Sequence, residues 1–533
     1  MSRSVTRTVV AASLVLSVTG AGCMSGPQEL EQAQAAAAPA AELPVTPARG
    51  AVTPRIAFAP CEEDPELECG SLRVPVSYAQ PRGEQLALAV VRARATGPRR
   101  LGALFVNPGG PGGSGVDFVI LAKELFAPLR QEFDILSFDP RGTNRSGSAD
   151  CTLDLPAPPA DGSLESTARY LDQLSALYAT ACATQVGPLA TSVGTNNVAR
   201  DMDVLRAALG ERELNYLGFS YGTILGASYA TLFPGRVRAM VLDGNVSPSW
   251  FSDHLVEFDA EGSAGAELAL RHLDARCRAD AACPLRSAGV VTVFDRVVDR
   301  LNRSPVVVGD SVINGQSVAS LTFGAMYNEQ VGWPFVVDLL VRVDAGDYRG
   351  LPPTPPADGT VTVPSTFAIV CSDSRSRRGA LDYLPTQIEN NQLYPRFGGE
   401  NFGIAPTACA AWPASTSIPV TNLRTRRPIV LIGNDYDPAT PLTWSRAMAT
   451  ALGHRAALVR YRGGGHTIFG SGSACVDSFI ASYLHHGAPP AAGATCPAVP
   501  LSFSASVRAQ RGPSMADVLT RVAPAPKRLL GGR

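Results

Sequence analysis

Ser220 sits in the run "LNYLGFSYGTILGASYATLFPGRV", residues 214–237, flanked by Gly218 and Gly222. The run reads as a buried strand, one sharp turn and a helix that ends at Pro234. A serine at such a corner is held on a strained turn that lifts its hydroxyl over the edge of a sheet. The start of the following helix offers backbone N–H groups and a positive dipole end to a developing oxyanion, with Tyr221 N–H as the first donor. Gly-x-Ser-x-Gly occurs often by chance, so its weight depends on whether the chain also supplies a base and an acid.

The base must come from six histidines: 254, 272, 454, 466, 485 and 486. His485 and His486 end a helical pattern, where cations are favoured, and His454 follows one. His254 and His272 lie on amphipathic stretches and have a packing explanation. His466 has none as good: it closes "RYRGGGH", just past the last strand-like run, in a glycine loop able to carry an imidazole over strand ends. An acid to orient it is expected from the preceding strand, "LIGNDYDPATP", which offers Asp435 and Asp437. Asp437 is preferred because Asp-Pro-Ala-Thr-Pro makes a rigid turn. Capping of the next helix is the plainer role for that residue, and Asp243 in "VLDGN" is a rival acid.

These groups require a scaffold that brings strand ends together. "SLRVPVSY" and "EQLALAVVRAR" alternate as paired strands do. "ALFVNPGG" and "FDILSFDPRG" are short apolar runs ending in glycine-bearing loops, as buried parallel strands are. "NNVARDMDVLRAALG" has helical spacing. Strand and helix patterns then alternate through "LNYLGF", "RVRAMVLDG", "RPIVLIGNDYDP", "TPLTWSRAMATALG", "AALVRYRGGGH" and "CVDSFIASYLHHG". This order predicts an α/β fold with a doubly wound, mostly parallel sheet. The first glycine-rich loop, "VNPGGPGGSG", allows close backbone approach to a ligand, as a second oxyanion donor needs. A phosphate cradle would need the Lys-Ser/Thr of a P-loop or a Gly-x-Gly-x-x-Gly fingerprint, and neither is present.

Between Asn245 and about Arg427 the alternation gives way to helix-like stretches and a Pro-rich loop, "LPPTPPADG". A largely helical insertion placed above the strand ends would act as a lid. The organisation expected is an exported leader over 1–23, an Ala/Pro-rich tether over 24–55, a first core part over 56–245, the lid over 246–427, a second core part over 428–497 and a tail over 498–533.

Lys and Arg number 46 against 47 Asp and Glu, and 46 − 47 = −1 leaves no field favouring nucleic acid or an anionic membrane. At the N-terminus, Arg3 and Arg7 precede an apolar run from Val9 to Val18, too short to span a bilayer and laid out as a secretory signal. Small residues lead into Cys23 in a way that resembles a bacterial lipobox, with Gly20 where that motif has an aliphatic. Cleavage near "AQAAAAPA" is the alternative to a lipid anchor. Of 11 cysteines, ten remain after Cys23. An exported chain with ten cysteines predicts five disulfides, sequential neighbours being the simplest pairing. No pair has Cys-x-x-Cys spacing, so no metal site is expected.

Taken together, "NPGGPGGSG", "DPRGTNRSG", "GFSYGTILGASYATLFP", "VLDG", "DPATP" and "GGGH" resemble the secreted α/β-hydrolase serine exopeptidases of the tripeptidyl aminopeptidase and prolyl iminopeptidase type, over about Cys61 to Cys496. The order Ser220, Asp437, His466 is the order of that fold. Pro108 stands where prolyl iminopeptidases have His, as in tripeptidyl aminopeptidases. The resemblance implies a Ser-His-Asp triad working through an acyl-enzyme without a cofactor, and peptides as substrates. It also implies an oxyanion hole from Gly110 N–H and Tyr221 N–H, with Gly109 a near alternative. An acid near the lid should grip the substrate's free α-amine, with Asp373 in "AIVCSDS" favoured over Glu257 and Glu329. A carboxylesterase or lipase, or an inactive surface-anchored binding protein, are the competing readings.

Overall fold

The computed structural model describes residues 55–504, apart from 160, 162, 309–310, 353–358, 399–404 and 422, together with residue 521. The leader, Cys23, nearly all of the tether and most of the tail therefore lie outside the described residues.

Eight strands form the body of one sheet: β1 (Glu68–Pro75), β2 (Gln85–Ala93), β3 (Gly102–Asn107), β4 (Phe133–Phe138), β5 (Leu214–Phe219), β6 (Val237–Asp243), β7 (Ile429–Tyr436) and β8 (Ala456–Gly464). Their spatial order is β1-β2-β4-β3-β5-β6-β7-β8, with a two-residue strand added at each edge. The pairings of β1 with β2 and of β2 with β4 are antiparallel, and those from β4 across to β8 are parallel. Every residue of β3, β4 and β5 is buried. Continuous apolar runs are what a sheet covered by helices on both faces demands, and two apolar clusters flank it. This is the α/β-hydrolase arrangement that the sequence pattern predicts.

Register carries the reactive corners to one level. Asn107 pairs with Gly218, Phe219 with Asp243, and Asp243 with Ile432. The loops after β3, β5, β6 and β7 therefore leave the sheet side by side, at the carboxyl ends where α/β folds hold ligands.

The 185 residues from Gly244 to Pro428 form the insertion. Its first half packs about its own cluster, in which Leu270, Phe294, Trp333 and Leu340 are fully buried. The second half joins the core itself: Ala368, Ile369, Cys371, Cys409 and Trp412 share a cluster with sheet and helix residues such as Tyr216 and Ile224. A second excursion, unmarked in the sequence reading, runs from Cys151 to Ala190 and carries the long helix Leu164–Gln185. The strand Cys151–Leu155 pairs antiparallel with Gly359–Val363, so the two excursions are stitched together.

The ten described cysteines pair with their sequential neighbours: Cys61–Cys69, Cys151–Cys182, Cys277–Cys283, Cys371–Cys409 and Cys475–Cys496. No described helix is long and apolar enough to cross a membrane, and no cluster of potential metal ligands occurs among the described residues.

Arg141 of "DPRG" is fully buried and forms a bidentate pair with Asp201, through Nε at 2.7 Å and Nη2 at 2.6 Å. Its remaining N–H groups donate to the carbonyls of Pro75 and Val76, and Tyr78 O–H donates to Asp201. Removing one partner of such a pair strands a charge in the interior. Asp201→Ala is expected to lower unfolding stability by about 3–5 kcal/mol in chemical denaturation. The double variant with Arg141→Met should recover a large part of that loss.

Candidate active site

Ser220 occupies the turn between β5 and the helix Tyr221–Leu232, with φ 54° and ψ −127°. L residues avoid that region, at a cost of order 1–3 kcal/mol. The surroundings hold it there. Ser220 N–H donates to the Asp243 carbonyl at 3.0 Å, and the Ser220 carbonyl accepts from Thr223 N–H at 2.8 Å and from Thr223 O–H at 2.6 Å. The residue is half-buried, so its hydroxyl keeps an open side.

Gly109, at φ 88°, lies against this corner. A Cβ there would stand 2.5 Å from the Phe219 carbonyl and 2.9 Å from Tyr221 N, so only glycine lets the loop come so near. Gly109 N–H donates to Asn107 Oδ1 at 3.0 Å. Gly110 N–H has no partner among the described residues, nor does Tyr221 N–H at the head of its helix. Tyr221 N–H follows Ser220 directly, and in the glycine loop beside it Gly110 rather than Gly109 has the unengaged N–H.

His466 and Asp437 are both 1% exposed. His466 Nδ1 lies 3.0 and 3.1 Å from the two oxygens of Asp437, and its Nε2 is left without a partner. Asp437 also accepts from Ala439 N–H at 2.9 Å, Thr440 N–H at 2.8 Å and Thr440 O–H at 2.9 Å. A carboxylate tied by so many donors is fixed in place, and Nδ1 must carry the proton that faces it. The next helix begins only at Leu442, so Asp437 does not cap it. A register shift between Asn434 and Tyr436 interrupts the pairing of β7 with β8 at the last residues before Asp437.

Ser220 and His466 each touch the Asp243–Gly244 corner. Asp243 holds Ser220 through its carbonyl, and a Cβ on Gly244 would stand 3.2 Å from His466 Cε1. The Asp243 carboxylate, the rival acid, accepts from Ile468 N–H at 2.9 Å and Phe469 N–H at 2.8 Å, and the imidazole is not among its partners. Burial pushes its pKa up to about 7. Asp435 points elsewhere, into an ion pair with Arg460.

Asp373 is fully buried below Tyr221. It accepts from Thr195 N–H at 2.7 Å, Trp250 Nε1–H at 2.9 Å and Ser417 O–H at 3.2 Å, and also from the Thr195 hydroxyl. Thr195 Oγ1 in turn lies 2.5 Å from the Tyr221 hydroxyl. Burial raises the Asp373 pKa to about 6. Its carboxylate faces protein donors rather than an open cleft. Of the other acids weighed for the substrate amine, Glu257 is exposed beside His254 and Glu329 is buried behind the His466 loop.

Residues 102–267 match the family model for the alpha/beta hydrolase fold, and residues 395–496 match that of the TAP-like proteins. The serine protease Hip1 of Mycobacterium tuberculosis is 33% identical over 465 residues, covering 80% of this chain and 87% of that one. The tripeptidyl aminopeptidase of Streptomyces coelicolor is 31% identical, with 81% and 83% covered. Carboxylesterase B of Mycobacterium tuberculosis is 34% identical, with 85% and 92% covered. The chain belongs to the TAP-like α/β hydrolases. It is a serine hydrolase, and this hydrolase shares its family with peptidases and an esterase alike.

The two buried acids make opposite predictions for substitution. Asp437→Asn should lower kcat on the order of 10⁴-fold, by analogy with the triad aspartate of serine proteases, while the protein stays folded. Asp243→Asn, which keeps an acceptor for Ile468 and Phe469, should retain most activity. An acid whose folded pKa is raised favours the folded state at low pH and loses that contribution as pH climbs to its folded value. Melting temperatures measured from pH 4 to 7 should therefore shift progressively in favour of Asp243→Asn over the parent.

Proposed function

We propose that this hydrolase is an exported serine exopeptidase that releases short peptides, tripeptides being the natural length, from free N-termini. The observation that carries the catalytic part is the buried His466–Asp437 pair, with its free Nε2, beside the strained Ser220 corner. In this reading Ser220 Oγ attacks the scissile carbonyl and Nε2 takes its proton. Asp437 fixes the tautomer and stabilises the imidazolium. Gly110 N–H and Tyr221 N–H receive the oxyanion, and the proton then passes from Nε2 to the leaving amine. Water repeats the sequence on the acyl-enzyme, with no metal or cofactor required.

The 246–427 insertion serves as the lid that limits how many residues fit before the scissile bond. Asp373, whose carboxylate is taken up by Thr195, Trp250 and Ser417, is set aside as the ligand for the substrate ammonium. Relatives named tripeptidyl aminopeptidase and serine protease support peptides as substrates. Five disulfides support an oxidising destination outside the cytoplasm, reached through the leader, with lipid attachment at Cys23 or cleavage near "AQAAAAPA" as the two ways of processing it. The relative named carboxylesterase B favours one second reading, ester hydrolysis by the same triad, because fold and triad do not choose between ester and amide.

A fluorophosphonate probe should label Ser220, and Ser220→Ala should abolish both labelling and turnover; a labelled alanine variant would refute the nucleophile. For the substrate, a tripeptidyl anilide with a free N-terminus should be cleaved, and its acetylated form should lose most of its kcat/KM. Rapid turnover of short-chain esters, with free and blocked peptides equally ignored, would replace the peptidase reading by the esterase one.

A further inference from the structure

His466 follows three consecutive glycines, Gly463 to Gly465, and glycine is the residue with the greatest backbone freedom to lose. Gly463 and Gly464 still belong to β8, and Asn434 Nδ2 donates to the Gly465 carbonyl at 3.0 Å, which leaves the other side of this segment to be fixed. Its position must come from something packed against it.

That support comes from the insertion. The turn Tyr327–Gln330 joins the helices Gly315–Ala325 and Gly332–Asp344, and it lies against the histidine loop. His466 N–H donates to the Tyr327 carbonyl at 2.8 Å. Glu329, 5% exposed, turns its carboxylate to the same loop, where Oε2 accepts from Gly464 N–H at 3.0 Å and from Tyr461 O–H at 3.4 Å. The Tyr327 ring stands edge-on to the imidazole, with centroids 4.7 Å apart at 68°. The turn is itself braced, since Asn328 Oδ1 accepts from Gln330 N–H at 2.9 Å and Val331 N–H at 3.1 Å, and Trp333 Nε1–H donates to the Met326 carbonyl at 3.0 Å.

We propose that Glu329 is a positioning residue for His466, so that the insertion completes the acid–base machinery of the core as well as covering it. The inference rests on the reading of His466 as the general base. Glu329 reaches this segment at two points, Gly464 and Tyr461, two and five residues before His466. With that carboxylate gone, the glycine loop gains conformations in which Nε2 is off line. Displacements of about 1 Å in a catalytic group can cost on the order of 100-fold in rate. Substrate affinity should be little changed, because Glu329 is buried behind the histidine.

The test compares Glu329→Ala and Glu329→Gln with the parent on three readouts: the tripeptidyl anilide, a small neutral ester, and the rate of fluorophosphonate labelling. Alanine is expected to lower kcat on both substrates and the labelling rate by a common factor of roughly 10–100, with KM within about twofold. Glutamine, which keeps an oxygen for Gly464 N–H, should restore most of the loss. Should alanine fail to fold, Glu329→Asp, one methylene short of Gly464, carries the same expectation. A loss confined to KM for the free-amine substrate would make Glu329 a substrate ligand instead. An unchanged kcat with only a lower Tm would make it a plain packing residue, and either result overturns the proposal. His466→Ala in the same labelling assay separates the two claims, since undiminished labelling there would refute the base and not the clamp alone.

Discussion

A serine hydroxyl in water is a weak nucleophile, and here the backbone at Ser220 is held where L residues do not rest, at φ 54°. Such a conformation persists only if neighbouring contacts over-determine it. Three strands contribute those contacts: β5 leads into the turn, the end of β6 receives the Ser220 N–H, and the loop after β3 presses Gly109 against Tyr221 N. The order β3-β5-β6 within the sheet is therefore a condition of the chemistry. Any register slip among these strands would separate the unengaged Gly110 N–H from the Ser220 corner.

The same logic extends to the histidine. Asp437 is locked by the turn that follows β7, and His466 is locked to Asp437, while the glycine segment behind the imidazole is held by Asn434 of β7 on one side and by Glu329 on the other. Ser220, Asp437 and His466 all lie on the core, and the segment that carries His466 also meets residues 327–329 of the insertion.

Much of this was legible in the sequence. Strands β3 to β7 announce themselves as apolar runs because both faces of a parallel sheet are covered; Ser220 and Asp437 lie just past the ends of β5 and β7, and His466 just past β8. The helix Leu164–Gln185 was less visible, since much of it is exposed and its apolar stripe is weak. The pairing of Cys151–Leu155 with Gly359–Val363 joins strands about 200 residues apart and carries no local signal. Asp373 illustrates a further limit: its burial depends on Thr195, Trp250 and Ser417, which arrive from three separate segments. Glu329 looks like any surface acid until Gly464 and Tyr461 are brought to it.

The cross-links share one further property. Their partners are 8, 31, 6, 38 and 21 residues apart, and none straddles another. A chain threading into an oxidising space from its N-terminal end would meet each cysteine's partner before the next pair began. Oxidation could thus keep pace with emergence, every bond closing in the order in which the chain appears. Among the ten described cysteines, the set is the one reached by always joining the two most recent thiols, so nothing about its connectivity calls for later reshuffling.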